Sequence, residues 1–409
     1  MIKRASAASA VGLAGTLLLA ACGSSNNTTG NGGGGAAAAT GTPIKLMVMY
    51  QFTGDPIAEH PEVGAGAQAA AKAISDAGGI GTHPVQIVTC DIHDSPTQEL
   101  ACAQQAVSDH VVAVVGSLFE TGAQSIPMLQ QAGIPVIGPL GVYTPQELSS
   151  TDVWPLMGGA VTTYPAIPYL VARQGLKRLA VATSPGTGLD KLIEAQTTKA
   201  GMTYAGTVNV PLNATDYQPY AKSLKDLTPD VIVQILSTTG SAQIMKAGAQ
   251  IGLNATWANQ TLNIDVSNLS TFGSSADGMY ITSSFPPATA SGQFPGIKNF
   301  NAEMDAAGKA GIASTDIRSA QAVTSWLAVH AVATAAKSTS GLLDSAGLIA
   351  ELKAAQSIDV EGLINWTPNA AGPTNFPRVT NSNVYLEKVS SGQLQLVNNA
   401  PVNYFQVSS

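Results

Sequence analysis

Five histidines, three cysteines and one turn rich in ligand-type side chains are where this chain could do chemistry. Their spacing makes no reaction centre. His60, His83, His93, His110 and His330 are scattered, and none forms a spaced pair on one helix, as a hydrolytic metal would need. Cys90-Asp91-Ile92-His93-Asp94 is rich in ligands but lies in a turn without a recognisable metal spacing. No phosphate-binding Gly-Lys-Ser/Thr loop and no Gly-x-Ser-x-Gly elbow occurs. Gly64-Ala65-Gly66 sits in the first turn of an Ala-rich helix, past the strand end, and reads as helix packing. No catalytic residue, metal or cofactor is therefore expected. What the residues can do is recognise a solute: loops offer N–H groups, hydroxyls and carboxylates. His60, in the loop after the first strand, is either such a group or a solvated histidine.

The loops are positioned by one unit that occurs twice. Residues 111–140 read as strand (111–115), Gly-Ser turn, helix (121–132) and strand (134–137). Residues 231–253 repeat strand, loop and helix, with Thr239-Gly240-Ser241-Ala242-Gln243 answering Thr121-Gly122-Ala123-Gln124. Strand and helix in alternation form parallel α/β sheets, which bind ligands at the carboxyl ends of their strands, beside helix N-termini. One copy in each half implies two similar lobes with facing loops.

The flanking elements extend this pattern. Strands are expected at 44–51, 85–90, 178–183, 203–210, 256–259 and 278–283, with helices at 62–77, 95–109, 162–174, 189–200 and 217–227. Residues 139–154 and 261–272 read as loops. Helices at 294–307, 316–337 and 344–355 follow, then a hairpin at 383–397, with 398–409 unassigned. The chain is expected to cross between lobes near Gly158, Ser284 and Asn381, dividing it into 43–158 plus 285–380 and 159–284 plus 381–409.

Of 409 residues, 45% are apolar and only 11% charged, enough to fill large cores. The net charge is −7 with no basic run, which excludes nucleic acid as a partner. Lys3, Arg4 and a short apolar stretch, 5–21, read as an export signal rather than a membrane span. It ends Leu19-Ala20-Ala21-Cys22, which resembles a bacterial lipobox; this implies cleavage after residue 21 and a lipid on Cys22. The alternative is an ordinary signal peptide. Residues 22–43, rich in Gly, Asn, Thr and Ala, form a flexible tether about 25 Å long. Outside the cytoplasm Cys90 and Cys102 are expected to pair as a disulfide, which stabilises by about 3 kcal/mol; a metal site is the alternative.

Taken together, Ala73-Ile74-Ser75-Asp76-Ala77-Gly78-Gly79-Ile80, 112–116, Gln131-Ala132-Gly133-Ile134-Pro135-Val136-Ile137, Pro229-Asp230-Val231 and Ala249-Gln250-Ile251-Gly252-Leu253 carry a resemblance. The chain is similar to the Leu/Ile/Val-binding lipoproteins of ABC importers. The resemblance implies a type I periplasmic-binding-protein fold: two Rossmann-like α/β lobes joined by three hinge crossings and closing on one small molecule. It implies a lipid-anchored monomer on the extracytoplasmic face, delivering a small polar solute to a membrane permease. An extracytoplasmic sensor built on the same clamp and an exported hydrolase are the alternatives. By position, the resemblance makes Gln51, Ser117, Glu120, Thr121, Leu140, Gly141 and Tyr143 candidates in the first lobe. Thr187, Ser237 and Gln260 are candidates in the second. Glu120 stands where a bound carboxylate would sit, and either faces the ligand or merely complements the helix dipole. Gln260 replaces the acid that pairs with an ammonium, and Thr187 and Ser237 replace aromatics. A neutral amide-like ligand, or a cation near Glu120, suits that set better than a zwitterionic branched-chain amino acid.

Overall fold

Apolar runs without polar alternation become inner strands of parallel sheets, because both their faces are covered. The computed structural model describes residues 38–54 and 59–408; the signal stretch 1–21, Cys22 and tether residues 22–37 lie outside the described residues. The first segment contains β1 (Ile44–Tyr50), α1 (Pro61–Asp76), β2 (Val85–Asp91), α2 (Pro96–Ser108), β3 (Ala113–Val115), α3 (Ser125–Gln131), β4 (Val136–Ile137), α4 (Pro145–Ser149) and β5 (Val153–Trp154). The second contains α5 (Ala160–Ala172), β6 (Arg178–Thr183), α6 (Leu189–Lys199), β7 (Thr203–Asn209), α7 (Gln218–Asp226), β8 (Val231–Ile235), α8 (Thr238–Gln250), β9 (Thr256–Gln260) and β10 (Tyr280–Ser283). Then come α9 (Pro295–Lys309), α10 (Ala320–Ala335), α11 (Ser345–Ala354), β11 (Ile358–Val360) and β12 (Ile364–Trp366). The chain ends with β13 (Asn383–Ser390), β14 (Gln393–Leu396), β15 (Val402–Asn403) and α12 (Tyr404–Val407).

The fold is two-lobed α/β, with three crossings between its lobes. One sheet runs β2-β1-β3-β4-β5, all parallel. The other runs β14-β13-β10-β9-β8-β6-β7, parallel from β7 to β10 and antiparallel beyond. β3 and β8, the strands of the repeated unit, hold the same place in the two sheets. Two crossings are tied together, since Arg378 Nε donates to Val153 O (2.8 Å) and Asn381 Nδ2 to Leu156 O (2.9 Å).

One core joins residues of 44–157 to residues of 285–366. α10 lies against α1 at short range. A Cβ on Gly66 would collide with Ala322 O, and Ser325 Oγ donates to Val63 O (2.7 Å). Gly116, at φ +51, lies under Ser325. Gly66 thus serves helix packing, while Gly64 faces the Phe52 and Thr89 side chains. Separate cores fill the second sheet's two faces and the C-terminal corner. Cys90 and Cys102 form a disulfide between β2 and α2, with a Cα separation of 5.7 Å.

Several elements differ from the sequence expectation. The helix expected at 121–132 begins at Ser125, because Glu99 holds Thr121 and Gly122 in a turn by their N–H groups. The helix expected at 316–337 begins at Ala320, where Ser319 accepts from Ala322 N, while Arg318 is drawn off to Thr315, Asn301 and Asp305. The loop expected at 139–154 contains α4, closed by a Thr144–Glu147 capping box, and the edge strand β5. The unassigned terminus supplies β15, an antiparallel partner of β13.

His330 on α10 ties three elements of this core. Its ring nitrogens reach Glu303 (2.9 Å) and Glu361 (3.1 Å), and Trp326 Nε1 also donates to Glu303 (2.7 Å). Burial opposes the charged ring, but the two carboxylates outweigh it and push its pKa up to about 9. A base with a raised folded pKa contributes stability below its unfolded value, 6.5, and loses it as pH rises through the folded one. His330→Gln should therefore cost about 2 kcal/mol near pH 6, less than a fully buried pair because both acids are partly exposed. Urea melts at intervals from pH 6 to 10 should show the deficit shrinking between pH 6.5 and about 9 and levelling off above.

Candidate functional site

The carboxyl ends of β1, β3 and β4 in one sheet, and of β6, β8 and β9 in the other, are where an α/β sheet presents loop N–H groups. In the first lobe several of those groups are already paired with the chain's own acids. Glu99, buried on α2, accepts from Thr121 N (3.1 Å), Gly122 N (3.2 Å) and the Ser125 hydroxyl. Glu147, buried on α4, accepts from Val142 N (3.1 Å), Tyr143 N (3.1 Å) and Thr144 N (2.9 Å). Asp91 takes Phe52 N and His93 N, and Glu59 takes Gly54 N. Burial raises the Glu147 pKa, against the pull of the N–H donors. The Asp91 carboxyl sits below the usual range: burial acts upward, while Thr53 and the loop N–H groups pull it down further.

This arrangement accounts for the candidates on the first lobe. Thr121 is exposed, and its N–H belongs to Glu99. Ser117 is buried; its hydroxyl accepts from Met49 N (2.9 Å) and donates to Val115 O (3.0 Å), a tie between β1 and β3. Gln51 is buried and its carbonyl accepts from His60 N. Gly141 O accepts from Ala160 N at the first crossing. Tyr143, at 37% exposure, is among the few large side chains that meet solvent.

Glu120 does not cap α3, and it is Glu99 that binds the turn before the helix. Its pKa is pushed up to about 7, first by burial, then by Asp94, which stands at hydrogen-bonding range, and by Glu99. The same acid and Glu62 help hold Tyr50 well above the ordinary tyrosine range, where burial is the main cause. Glu120, Asp94, Tyr50 and Tyr143 therefore form an electronegative cluster at the ends of β1, β2 and β3. Lys72 is the one cation between Lys45 and Arg173, and it pairs with Asp76.

In the second lobe Ser237 caps α8, accepting from Gly240 N (3.1 Å), and Thr187 Oγ1 meets Thr183 Oγ1 (2.9 Å); both are exposed. Gln260 is buried and accepts from Thr163 Oγ1 (2.9 Å). With Leu140, Thr163 and Gln321 it lines a cavity of about 20 Å³ at the crossings, room for one water. Gln321 Nε2 bridges the lobes to Thr261 O (2.8 Å). His60 pairs with buried Glu62 (3.0 Å), stands edge-on to Tyr50 and approaches Ser267 of the other lobe (3.4 Å).

The structure thus brings Glu120 and Tyr143 together on one wall, and Leu140 and Gln260 at the cleft floor. Sequence reasoning missed Glu99, Glu147 and Asp265, and met Asp94 only in a ligand-rich turn weighed as a metal site. Only Glu147 carried a sequence signal, the Thr144-x-x-Glu147 capping box.

A family model described as periplasmic binding protein matches residues 43–391. No curated protein matches the sequence. Among solved structures, an extracellular ligand-binding receptor from Verminephrobacter eiseniae aligns with TM-score 0.71 and 17% identity, over 87% of this chain and 100% of that one. A solute binding protein from R. palustris in complex with 4-hydroxybenzoate gives 0.70 and 20%, over 88% and 97%. A branched-chain amino acid transporter substrate binding protein from Streptococcus pneumoniae in complex with isoleucine gives 0.70 and 18%, over 87% and 99%.

Glu120 supplies a pH test of the acidic wall. An acid whose folded pKa is raised from 4.5 to about 7 stabilises the fold below the lower value and loses that contribution as pH rises through the upper one. Glu120→Gln removes this dependence. Wild-type stability minus that of the variant should fall between pH 4.5 and 7 and level off above; a constant difference across denaturant melts would place Glu120 in open solvent.

Proposed function

The chain belongs to the periplasmic binding protein family, a family of extracytoplasmic binding proteins rather than enzymes, and on that premise we propose how it binds and what it takes. It is a lipid-anchored clamp of an ABC importer, held through Cys22 and the 22–43 tether, that grips a small polar solute between its lobes and delivers it to a membrane permease. The first lobe comprises 43–158 with 285–380, and the second 159–284 with 381–409. The shared core of 44–157 and 285–366 supports that division.

One observation carries the ligand class. The N–H groups of Thr121, Gly122, Val142, Tyr143 and Thr144, in the loops that would receive a ligand carboxylate, are paired with Glu99 and Glu147, and the same wall carries two further acids, Glu120 and Asp94. A carboxylate entering this wall would meet like charge, and five of the loop donors would already be taken. An ammonium, or an amide whose N–H groups donate, would find acceptors. The solute is therefore an amino-acid amide or a related amine without a free carboxylate. Glu120 accepts from it, Tyr143 and Leu140 cover its apolar part, and Thr187, Ser237 and Gln260 close over it from the second lobe.

Calorimetry with leucine, isoleucine, valine and the corresponding amides tests this. The amides should bind at least about tenfold more tightly than the acids, a gap of about 1.4 kcal/mol, and Glu120→Gln should erase the preference. Micromolar binding of any of the three free amino acids would overturn it.

A further inference from the structure

Beside the hinge lies a second cavity, apart from the loops that hold Glu120. It measures about 540 Å³, and both lobes build it. Val266, Pro287, Ile317 and Leu394 give it apolar walls, and Asp265 and Glu387 give it acids. Glu387 is 1% exposed on β13, opposite Ile281 of β10. Among the described residues neither of its carboxyl oxygens has a donor in hydrogen-bonding geometry, although the Ser283 hydroxyl is near enough to favour its ionised form. Asp265, also 1% exposed, accepts from Val266 N and, across the lobes, from Ala320 N at the start of α10 (both 2.6 Å).

The charges around the rim do not answer these acids. Among the described residues Arg318 is the one basic side chain lining the cavity, and its guanidinium is committed to Asp305 (2.7 Å), Asn301 and Thr315. Asp316 adds a further acid. An acid buried without a partner costs stability, and Leu or Met would fill such a site at less cost. A metal ion does not suit the place. Among the described residues no group of three or more His, Cys, Asp or Glu side chains could hold one, and the space is far larger than a bare ion.

We propose that this cavity is a second binding site, distinct from the interlobe cleft, for a small organic cation: a primary ammonium on a short aliphatic stem. The ammonium sits between Glu387 and Asp265, where it supplies the donors that Glu387 lacks. The stem lies along Val266, Pro287, Ile317 and Leu394. Because Asp265 and Ala320 come from different lobes, an occupant of this cavity bears on their closure.

The test uses the mature chain with 1,4-diaminobutane and n-butylamine as probes and n-butanol as the uncharged control. Glu120→Gln removes the acceptor that the cleft offers an amine, so all measurements are made in that background. Calorimetry on Glu120→Gln should show one amine site with no response to butanol, and adding Glu387→Gln should weaken it at least tenfold. Adding Glu387→Met instead guards against a folding defect: the double variant should melt at or above the Glu120→Gln temperature and bind no amine. In the Glu120→Gln background, amine binding that survives Glu387→Met, equal binding of butanol, or no binding at millimolar amine would each overturn the proposal. Amine binding is scored separately from the amide preference in the cleft, so either reading can fail alone.

Discussion

A backbone N–H group left at the buried end of a strand must find an acceptor. In many α/β sheets that need is met from outside, and the strand ends become anion sites. Here the first lobe meets it from within. Glu99 reaches from α2 to the turn before α3, and Glu147 reaches back from α4 to the loop after β4. The consequences are local and electrostatic. The turn at 121–124 is held open, α3 starts late, and the wall facing the cleft carries surplus negative charge.

The scaffold that presents this wall is built from close approaches. α10 presses on α1 and on the turn after β3 at two glycines, Gly66 and Gly116, where any side chain would collide. That contact brings the N-terminus of α10 to the seam, where Ala320 N meets Asp265 and Gln321 meets Thr261. The seam therefore depends on how tightly a helix of one lobe can settle, and His330 fixes the far half of the same helix.

Acids recur wherever the two halves face each other. Glu62, Glu120, Asp265 and Glu387 all lie at or near the seam, and burial raises the pKa of the last three. An acid buried without a partner costs stability, so the presence of Glu387 beside Asp265 in a cavity of about 540 Å³ is better explained by what they meet on binding than by folding.

Hydrophobic runs and turn residues are local signals, so the sequence by itself determined the alternation of strand and helix, the twin sheets and the duplicated unit at 111–140 and 231–253. It also determined the disulfide partners, since no other cysteine follows Cys22. Glu147 was legible too, because its capping box spans four residues. Tertiary structure alone decided the rest. Glu99 lies 22 residues from Thr121 and Asp265 lies 55 from Ala320. No periodicity records which distant N–H group a carboxylate will reach. Side-chain direction at the strand ends followed the same rule. Ser117 turned inward to tie β1 to β3, while Glu120, three residues on, came to rest against Asp94. Packing of whole elements sets those outcomes, and it is not encoded at any one position.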